Sequence, residues 1–576
     1  MNRAAISAWV LLSLVYAYHV HAQDYQRIAP KNIPSKKKAL QLPENQPPSS
    51  DNGHNDSVLV PQLKGLVFVG AADLVKKQGI SELKGIETNN IELLRTTEFQ
   101  SIAEKYIGQP VTLKKLDDLV REIVVYYRDH DRPVVYVVVP EQDITTGVIQ
   151  VLVLEGRVGE IRAEGNKWFR SSIIIEGISS LPSEVVSAEK LKSDLTWINA
   201  NPFRQVDLVY TQGKSPGSTD LILRTKDRFP VRVYTGFEDT GNALTDDDRY
   251  IAGFNWGDAF WLDHQLGYQF TSDYGFEKLL AHSGNYLAPL PWRHKLNIFG
   301  SYAQSKADLP APFNLKGTSW QASARYIIPF KGAGNYRHEG AFGFDFKQSN
   351  NNLDFGGAQV FNSMTDVAQF VFNYNGGLPD RLGVTSFDIT GFYSPGDLSD
   401  NNTDIDFTAS RAGANDDYAY MRAIVDRLTR LPYDFSLANR FTVQTSDSNL
   451  LGSEQLGLGG VSSVRGYDER EGNTDTGFIS NLEIRSPAIG FGKIFNAPEF
   501  QDQLQFLFFW DFATGYNKNL IPGEDPHVTL ASVGPGLRYQ ISSYLSLRAD
   551  YGFQLYDTGN NRRYNDRWHV GVVVSY

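Results

Sequence analysis

Gln503–Ala513 sorts into two unlike faces when every second residue is taken together. Leu504, Phe506, Phe508, Trp510 and Phe512 share one face, and Gln503, Gln505, Leu507, Phe509, Asp511 and Ala513 share the other. A strand turns successive side chains to opposite faces, so one face is wholly apolar and the other is mixed and carries a carboxylate. Tyr544–Leu555 sorts in the same way, with Leu545, Leu547, Ala549, Tyr551, Phe553 and Leu555 against Tyr544, Ser546, Arg548, Asp550, Gly552 and Gln554. The C-terminus repeats it, with Trp568, Val570, Val572, Val574 and Tyr576 against Arg567, His569, Gly571, Val573 and Ser575. Apolar-out, polar-in segments of about ten residues are the signature of a transmembrane β-barrel. The alternative is a soluble sandwich, which would turn the apolar face to a core. After the leader no run approaches the ~18 apolar residues of a membrane helix, so a membrane span must be built from strands, closed on themselves. At about 20–22 residues per strand with its loop, residues 229–576 hold about 16 antiparallel strands, an even number as such barrels require.

Composition supports strands over packed helices: aromatic residues are 12% of the 576, Gly numbers 50, and there is no Cys. The missing Cys excludes a disulfide framework, a thiolate zinc site and a cysteine nucleophile. The net charge is −11, yet Gln23–Arg228 holds 27 acidic and 27 basic residues, so the excess lies in the alternating region. An acidic body without a basic stripe argues against nucleic acid as a partner.

Upstream the chain changes character three times. Residues 1–22 carry Arg3, an apolar stretch Ala4–Ala17 and the ending Val20-His21-Ala22, the pattern of a secretory signal peptide. Residues 23–61 are Pro-interrupted and polar, with a cationic cluster of Lys31, Lys36, Lys37 and Lys38, and read as a solvated arm or linker with no long helix before Val58. Residues 62–155 and 156–228 read as two small α/β domains. In the first, Leu63–Val69 is strand-like, Ile91–Ile107 and Leu113–Tyr127 have helical spacing, and Val134–Val139 and Val148–Leu154 are β-branched runs. Leu116, Leu119, Val120, Ile123 and Val124 fall on one helix face. The second repeats the order with a strand at Val158–Ala163, a helix within Ser187–Asn199, and a hairpin of Gln205–Tyr210 and Ser218–Arg224. Tandem copies of one module suggest a modular binding arm.

Chemistry-bearing motifs are sparse. There is no His-Glu-x-x-His pair. Gly213-Lys214-Ser215-Pro216-Gly217 fits a nucleophile elbow only as text, because a strand follows it where the elbow needs a helix. Asp246-Asp247-Asp248 lacks the spaced oxygen ligands of a calcium loop and reads as a solvated turn. No enzyme, metal or cofactor is expected.

One segment is specific: Leu458-Gly459-Gly460-Val461-Ser462-Ser463-Val464-Arg465-Gly466-Tyr467, followed by Asn481-Leu482-Glu483-Ile484-Arg485-Ser486-Pro487. Its Val-Arg-Gly-Tyr core resembles the signature of the two-partner secretion transporters, the TpsB class of the BamA-like superfamily. Pro140-Glu141-Gln142-Asp143 with Gly147 and Leu154-Glu155-Gly156 resembles the end of that family's first POTRA domain. Asn201-Pro202-Phe203-Arg204 with Pro216-Gly217-Ser218-Thr219-Asp220-Leu221 resembles its second, and Tyr286-Leu287-Ala288-Pro289-Leu290 an early barrel strand. The likeness spans the chain from about Leu63.

The resemblance implies two periplasmic POTRA domains that capture an unfolded exoprotein through its N-terminal secretion domain. It implies a 16-stranded outer-membrane barrel that conducts this partner to the cell surface without ATP. The sixth surface loop would fold into the lumen with Val464, Arg465, Gly466 and Tyr467 at its tip. Arg465 would pair with the Asp of a Phe-x-Asp-x-Gly motif on the barrel wall, here Phe509-Trp510-Asp511-Phe512-Ala513, where Ala513 replaces the Gly. An N-terminal helix often plugs the pore in the family. Candidate cargo contacts are Val134, Tyr136 and Val138 with Leu116, Leu119 and Ile123, where edge and helix could hold an added strand. Trp568 and Tyr576 would mark the last strand for the barrel assembly machinery. The competing readings are a BamA-like insertase for other barrels, whose relatives usually have more POTRA domains, and a passive porin.

Overall fold

The computed structural model describes residues 25–33, 43 and 57–576, apart from residues 90, 243–244, 308, 310–312, 333, 335, 356–357, 498–499, 521–525 and 559–564. The expected signal peptide and Lys36–Lys38 lie outside the described residues. The chain divides into two compact units, Lys36–Pro230 and Met1–Ser35 with Val231–Tyr576.

The first unit holds two small domains. In the first, β1 (Gly65–Val69), β2 (Gly85–Glu87), β3 (Val135–Val138) and β4 (Val148–Glu155) form a sheet in the order β2-β1-β4-β3. Helices α1 (Thr97–Glu104) and α2 (Leu113–Asp129) pack on it. The helical spacing over Ile91–Ile107 is broken: a 3-10 turn covers Glu92–Arg95, and Thr96 then stays extended and accepts the Phe99 amide to cap α1. Thr112 caps α2 in the same way through Lys115.

The core joins Phe68, Phe99, Tyr127 and Ile149 to Leu119 and Ile123, all inaccessible to solvent, with Leu116 packed against them. Of the candidate cargo contacts on α2, Leu119 and Ile123 lie within this core and Leu116 is half-buried against it. Their periodicity records the face that α2 turns to its own sheet. Tyr136, on the sheet's edge strand, is 61% exposed, and Val134 and Val138 are half-buried beside it.

The second domain has β5 (Arg157–Glu164), β6 (Arg204–Gln212) and β7 (Ser218–Asp227) in the order β5-β7-β6, with α3 (Ser171–Glu176) and α4 (Ala188–Ile198). The Gly213 amide bonds the Ser218 carbonyl at 2.8 Å, closing a hairpin at the would-be nucleophile elbow. The three-residue β2 and six-residue α3 escape a periodicity reading because neither completes two periods.

Sixteen antiparallel strands then close into a barrel. They run from nine residues (Val231–Asp239) to 22 (Ala358–Pro379), so several are longer than the ten that alternation suggests. The first strand, Val231–Asp239, meets the last, Asp566–Ser575, through five pairs from Tyr234↔Ser575 to Glu238↔Gly571. Phe506, Phe508 and Trp510 face outward, while Leu507, Phe509, Asp511 and Ala513 are buried inward. The same parity holds to the terminus, where Trp568 and Tyr576 are exposed and His569 is buried.

The Tyr576 amide donates to the Val233 carbonyl at 3.0 Å, one residue beyond the paired seam. Deleting Tyr576 removes this bond and the terminal aromatic. The expected result is less folded barrel in the outer membrane, measured as the heat-modifiable band. Undiminished amounts of that band would remove Tyr576 from the assembly signal.

Candidate functional site

Residues 447–475 connect strands Ser436–Ser446 and Thr476–Arg485 as the sixth connection on their side of the barrel, and their tip is buried inside it. A short ladder of Leu456–Leu458 with Gly472–Thr474 shapes the descent. Gly459, Gly460 and Gly466 adopt φ of 100°, 96° and 92°, a region that favours glycine. Gly466 passes so close to Gly552 of strand Leu545–Gln554 that a Cβ on Gly466 would sit 2.9 Å from the Gly552 carbonyl oxygen. A Cβ on Gly552 would sit 2.6 Å from the Gly466 nitrogen. Both polar groups of Gly466 are held: its amide donates to His569 Nε2 at 2.9 Å, and its carbonyl accepts from Gln554 Nε2 at 2.5 Å.

Arg465 is 3% exposed and makes the densest set of charged contacts at the tip. Its Nε and Nη2 donate to the two oxygens of Asp511 at 2.7 and 2.8 Å, and its backbone amide adds a bond to the same carboxylate at 3.1 Å. Nη1 donates to Glu483 at 2.6 Å and lies 3.5 Å from Asp550. The guanidinium covers the Phe509 ring 3.7 Å from its centroid, which places Phe509 as a floor under the cation. Arg485 pairs with Glu483 at 2.6 Å and Arg538 with Asp550 at 2.8 Å. Three guanidiniums thus meet three carboxylates, a balance that burial demands. Asn481 donates to Asp511 at 2.8 Å and to the Ser463 carbonyl at 2.5 Å, tying wall to loop.

The flanking residues seat the tip by packing. Val464 and Tyr467 are buried in a cluster with Leu456, Leu458, Ile479, Ala513 and Leu530. The extra Cβ of Ala513 fills space in this cluster, so its replacement of Gly is accommodated. The Tyr467 hydroxyl faces the carbonyls of Ala531 and Tyr556 at 3.1 and 2.9 Å. Two buried carboxylates fix the base of the loop: Glu454 to Lys347 at 2.8 Å, and Asp475 to Arg411 at 2.5 Å. Arg567 of the last strand reaches Asp239 of the first and Asp247 of the first surface loop, both at 3.0 Å, and also binds Asp468 of the sixth loop. Asp246 pairs with Lys278 at 2.7 Å, so the Asp246–Asp248 turn is ion-paired and not merely solvated.

Alternation places Asp550, Gly552, Gln554 and His569 on the inward face but says nothing of their joint target. Glu483 and Asn481 stand in the quoted motif without a role. Only the fold shows that all six surround one arginine and the glycine after it.

Residues 25–33 of the arm depart from its reading as a solvated linker. A single helical turn, Tyr25–Ile28, lies within the barrel unit with Ile28 buried against Ala281 and Ala303. Gln269 and Ser283 both donate to the Ile28 carbonyl, the first at 3.1 Å. Lys31 pairs with Glu238 of the first strand at 2.7 Å, and Arg27 lies 3.6 Å from Glu469 of the sixth loop. Lys31 and Asn32 also border a cavity of about 460 Å³ with Arg232, Gln503, Arg538 and Arg548.

Comparison with known proteins adds a lineage. The family described as "Haemolysin secretion/activation protein ShlB/FhaC/HecB" matches residues 217–539, and the ShlB-type POTRA domain matches residues 82–156. The heme/hemopexin transporter protein HuxB of Haemophilus influenzae (strain 86-028NP) is 24% identical over 490 residues, covering 80% of each chain. The outer membrane transporter CdiB of Dickeya dadantii (strain 3937) is 21% identical, covering 67% of this chain and 69% of its own. Among solved structures, CdiB from Escherichia coli superposes with a TM-score of 0.70 at 15% identity, over 100% of this chain and 98% of its own, a likeness of fold.

The arm's two ion pairs give a direct test. Arg27→Glu with Lys31→Glu sets like charges against Glu469 and Glu238. The expected outcome is a higher conductance of the purified protein in planar bilayers. Conductance equal to that of the parent protein would show that these pairs do not hold the arm in the lumen.

Proposed function

The chain belongs to the haemolysin secretion/activation family, and on that footing we propose that Arg465 and Asp511 form the lock that keeps the sixth loop seated in the lumen for transport. The protein is an outer-membrane transporter of two-partner secretion, with POTRA domains in the periplasm and a barrel that passes a secreted partner protein to the cell surface. The observation that carries the lock is the two-point contact of Arg465 with the inaccessible Asp511. A guanidinium fork fixes the orientation of the loop tip as well as its position, which a lysine ammonium cannot do.

Capture is assigned to the edge strand β3 of the first POTRA domain. Main-chain bonding along Val134–Val138 would add the partner as a further strand with little sequence demand, and the exposed Tyr136 would pack over it. The cargo is an exoprotein that is unfolded while it crosses. Assembly machinery acts on the barrel during biogenesis.

Two experiments test these assignments. Removing one partner of a buried pair costs about 3–5 kcal/mol, enough to unseat a loop, whereas the barrel's strand ladder does not depend on it. Arg465→Ala and Asp511→Ala should give normal heat-modifiable barrel and strongly reduced cargo in the medium, with Arg465→Lys between them. Secretion at the parental level by Arg465→Ala would remove the lock from transport. For capture, Val135→Pro and Val137→Pro each delete a main-chain donor facing the open side of the edge strand, because the Gly156 amide on the Val134 carbonyl places the Tyr136 and Val138 amides on the β4 side. The dissociation constant of the full-length transporter for a cognate secretion domain should rise in at least one. A constant unchanged in both would exclude this edge.

A further inference from the structure

Trp168 and Phe229 stand on the surface of the second POTRA domain, 50% and 54% exposed, with their rings 5.0 Å apart in an edge-to-face pair. They come from separate segments, the loop after β5 and the residues after β7. Their presentation is built. The Asp227 carboxylate accepts the backbone amides of Lys167, Trp168 and Phe169 at 2.9, 2.7 and 3.0 Å. Phe169 is buried, and its carbonyl takes a bond from Asn166 at 2.8 Å. The loop is thus pinned from both sides with Trp168 held outward. Lys167, Arg170 and Lys226 are exposed around the pair, and Arg228 stacks on Phe203 at 4.8 Å. The two carboxylates in residues 164–170 and 226–229 are Glu164 and Asp227, and the second is engaged by the three amides.

Aromatic rings ringed by Lys and Arg match one environment well: the headgroup layer of a bilayer, apolar enough for the rings and anionic enough for the cations. Chain continuity puts that layer within reach. Phe229 is followed by Pro230 and then Val231, the first residue of the first barrel strand. Two steps of 3.8 Å hold Phe229 within about 8 Å of that strand's end, and two more reach Val233, an exposed residue of the outer wall. We propose that the Trp168–Phe229 patch is a membrane contact, with both rings in the periplasmic leaflet of the outer membrane and Lys167, Arg170 and Lys226 on anionic phospholipid headgroups. It rests on the barrel spanning that membrane and is independent of the role of the sixth loop. The contact adds a second, lipid-dependent tether to the covalent one, and it makes leaflet charge a variable of transport.

Leu181 supplies an internal control. It is 63% exposed, but its loop is tied to the start of β5, with Ser183 donating to Val158 at 2.7 Å. The Trp168 loop follows the end of that eight-residue strand, about 23 Å away along it. The chain has no Cys, so Ser172→Cys and Leu181→Cys each create one labelling site. The labelled full-length protein is placed in nanodiscs of phosphatidylcholine alone or with phosphatidylglycerol, with a nitroxide on a fraction of the headgroups. Quenching should be strong for Ser172→Cys in the anionic discs and weak for Leu181→Cys. It should be lost on adding Trp168→Ala with Phe229→Ala, and reduced by Lys167→Gln with Arg170→Gln and Lys226→Gln, while the barrel stays heat-modifiable. Equal quenching at the two sites, or quenching that survives loss of both rings, overturns the contact. Equal quenching in neutral and anionic discs overturns its anionic headgroup component.

Discussion

A backbone amide in hydrocarbon has no partner except another strand, and the rest of this molecule depends on how that demand is met. Sixteen strands satisfy one another only because the first finds the last, and that seam has just five residue pairs. Above it, side chains take over: Arg567 joins the last strand to Asp239 of the first, to Asp247 and to Asp468. Closure of the sheet and seating of the sixth loop thus share a residue.

Closure creates a second problem, a polar interior partly shut off from water. The inner wall carries Asp511, Glu483 and Asp550 at a depth where isolated charges are costly. Arg465 arrives on a loop to balance them, joined by Arg485 and Arg538 from the wall. Loop and wall are therefore complementary halves of one charge cluster. Charge fixes the orientation of the loop tip, and the packing of Val464 and Tyr467 against Leu456, Leu458, Ile479 and Leu530 seats it. The glycines follow from the same geometry, because Gly466 and Gly552 leave room for main chains to meet.

The parts outside the wall follow different rules. Each POTRA domain is an ordinary half-layered fold, stabilised by helices packed on one face of a small sheet. The first described residues of the arm are held by the barrel unit: Ile28 finds an apolar niche between Ala281 and Ala303, and its flanking cations find Glu238 and Glu469. The short helical turn Tyr25–Ile28 has no core of its own and is held by that niche and those charges.

Strand parity, the even strand number, the tandem α/β domains and the membrane class were legible because each is a local, repeating constraint. Period two shows on which wall Asp511, Asp550 and His569 lie. Period 3.6 shows one face of α2, yet it cannot say whether that face meets a ligand or its own sheet, and for Leu119 and Ile123 the sheet took it. The arm read as linker for a related reason: its partners lie more than two hundred positions away, as with Lys31 and Glu238. Gathering Glu483, Asp511, Asp550, Gln554 and His569 around Arg465 and Gly466 needed the barrel to close, because curvature brings four strands and a loop to one point that no sequence spacing encodes. By itself the sequence determined which face of each strand meets lipid, since burial alternates with a fixed local period. Only the tertiary structure decided which charges on the other face meet, because electrostatic partners are chosen by distance in space.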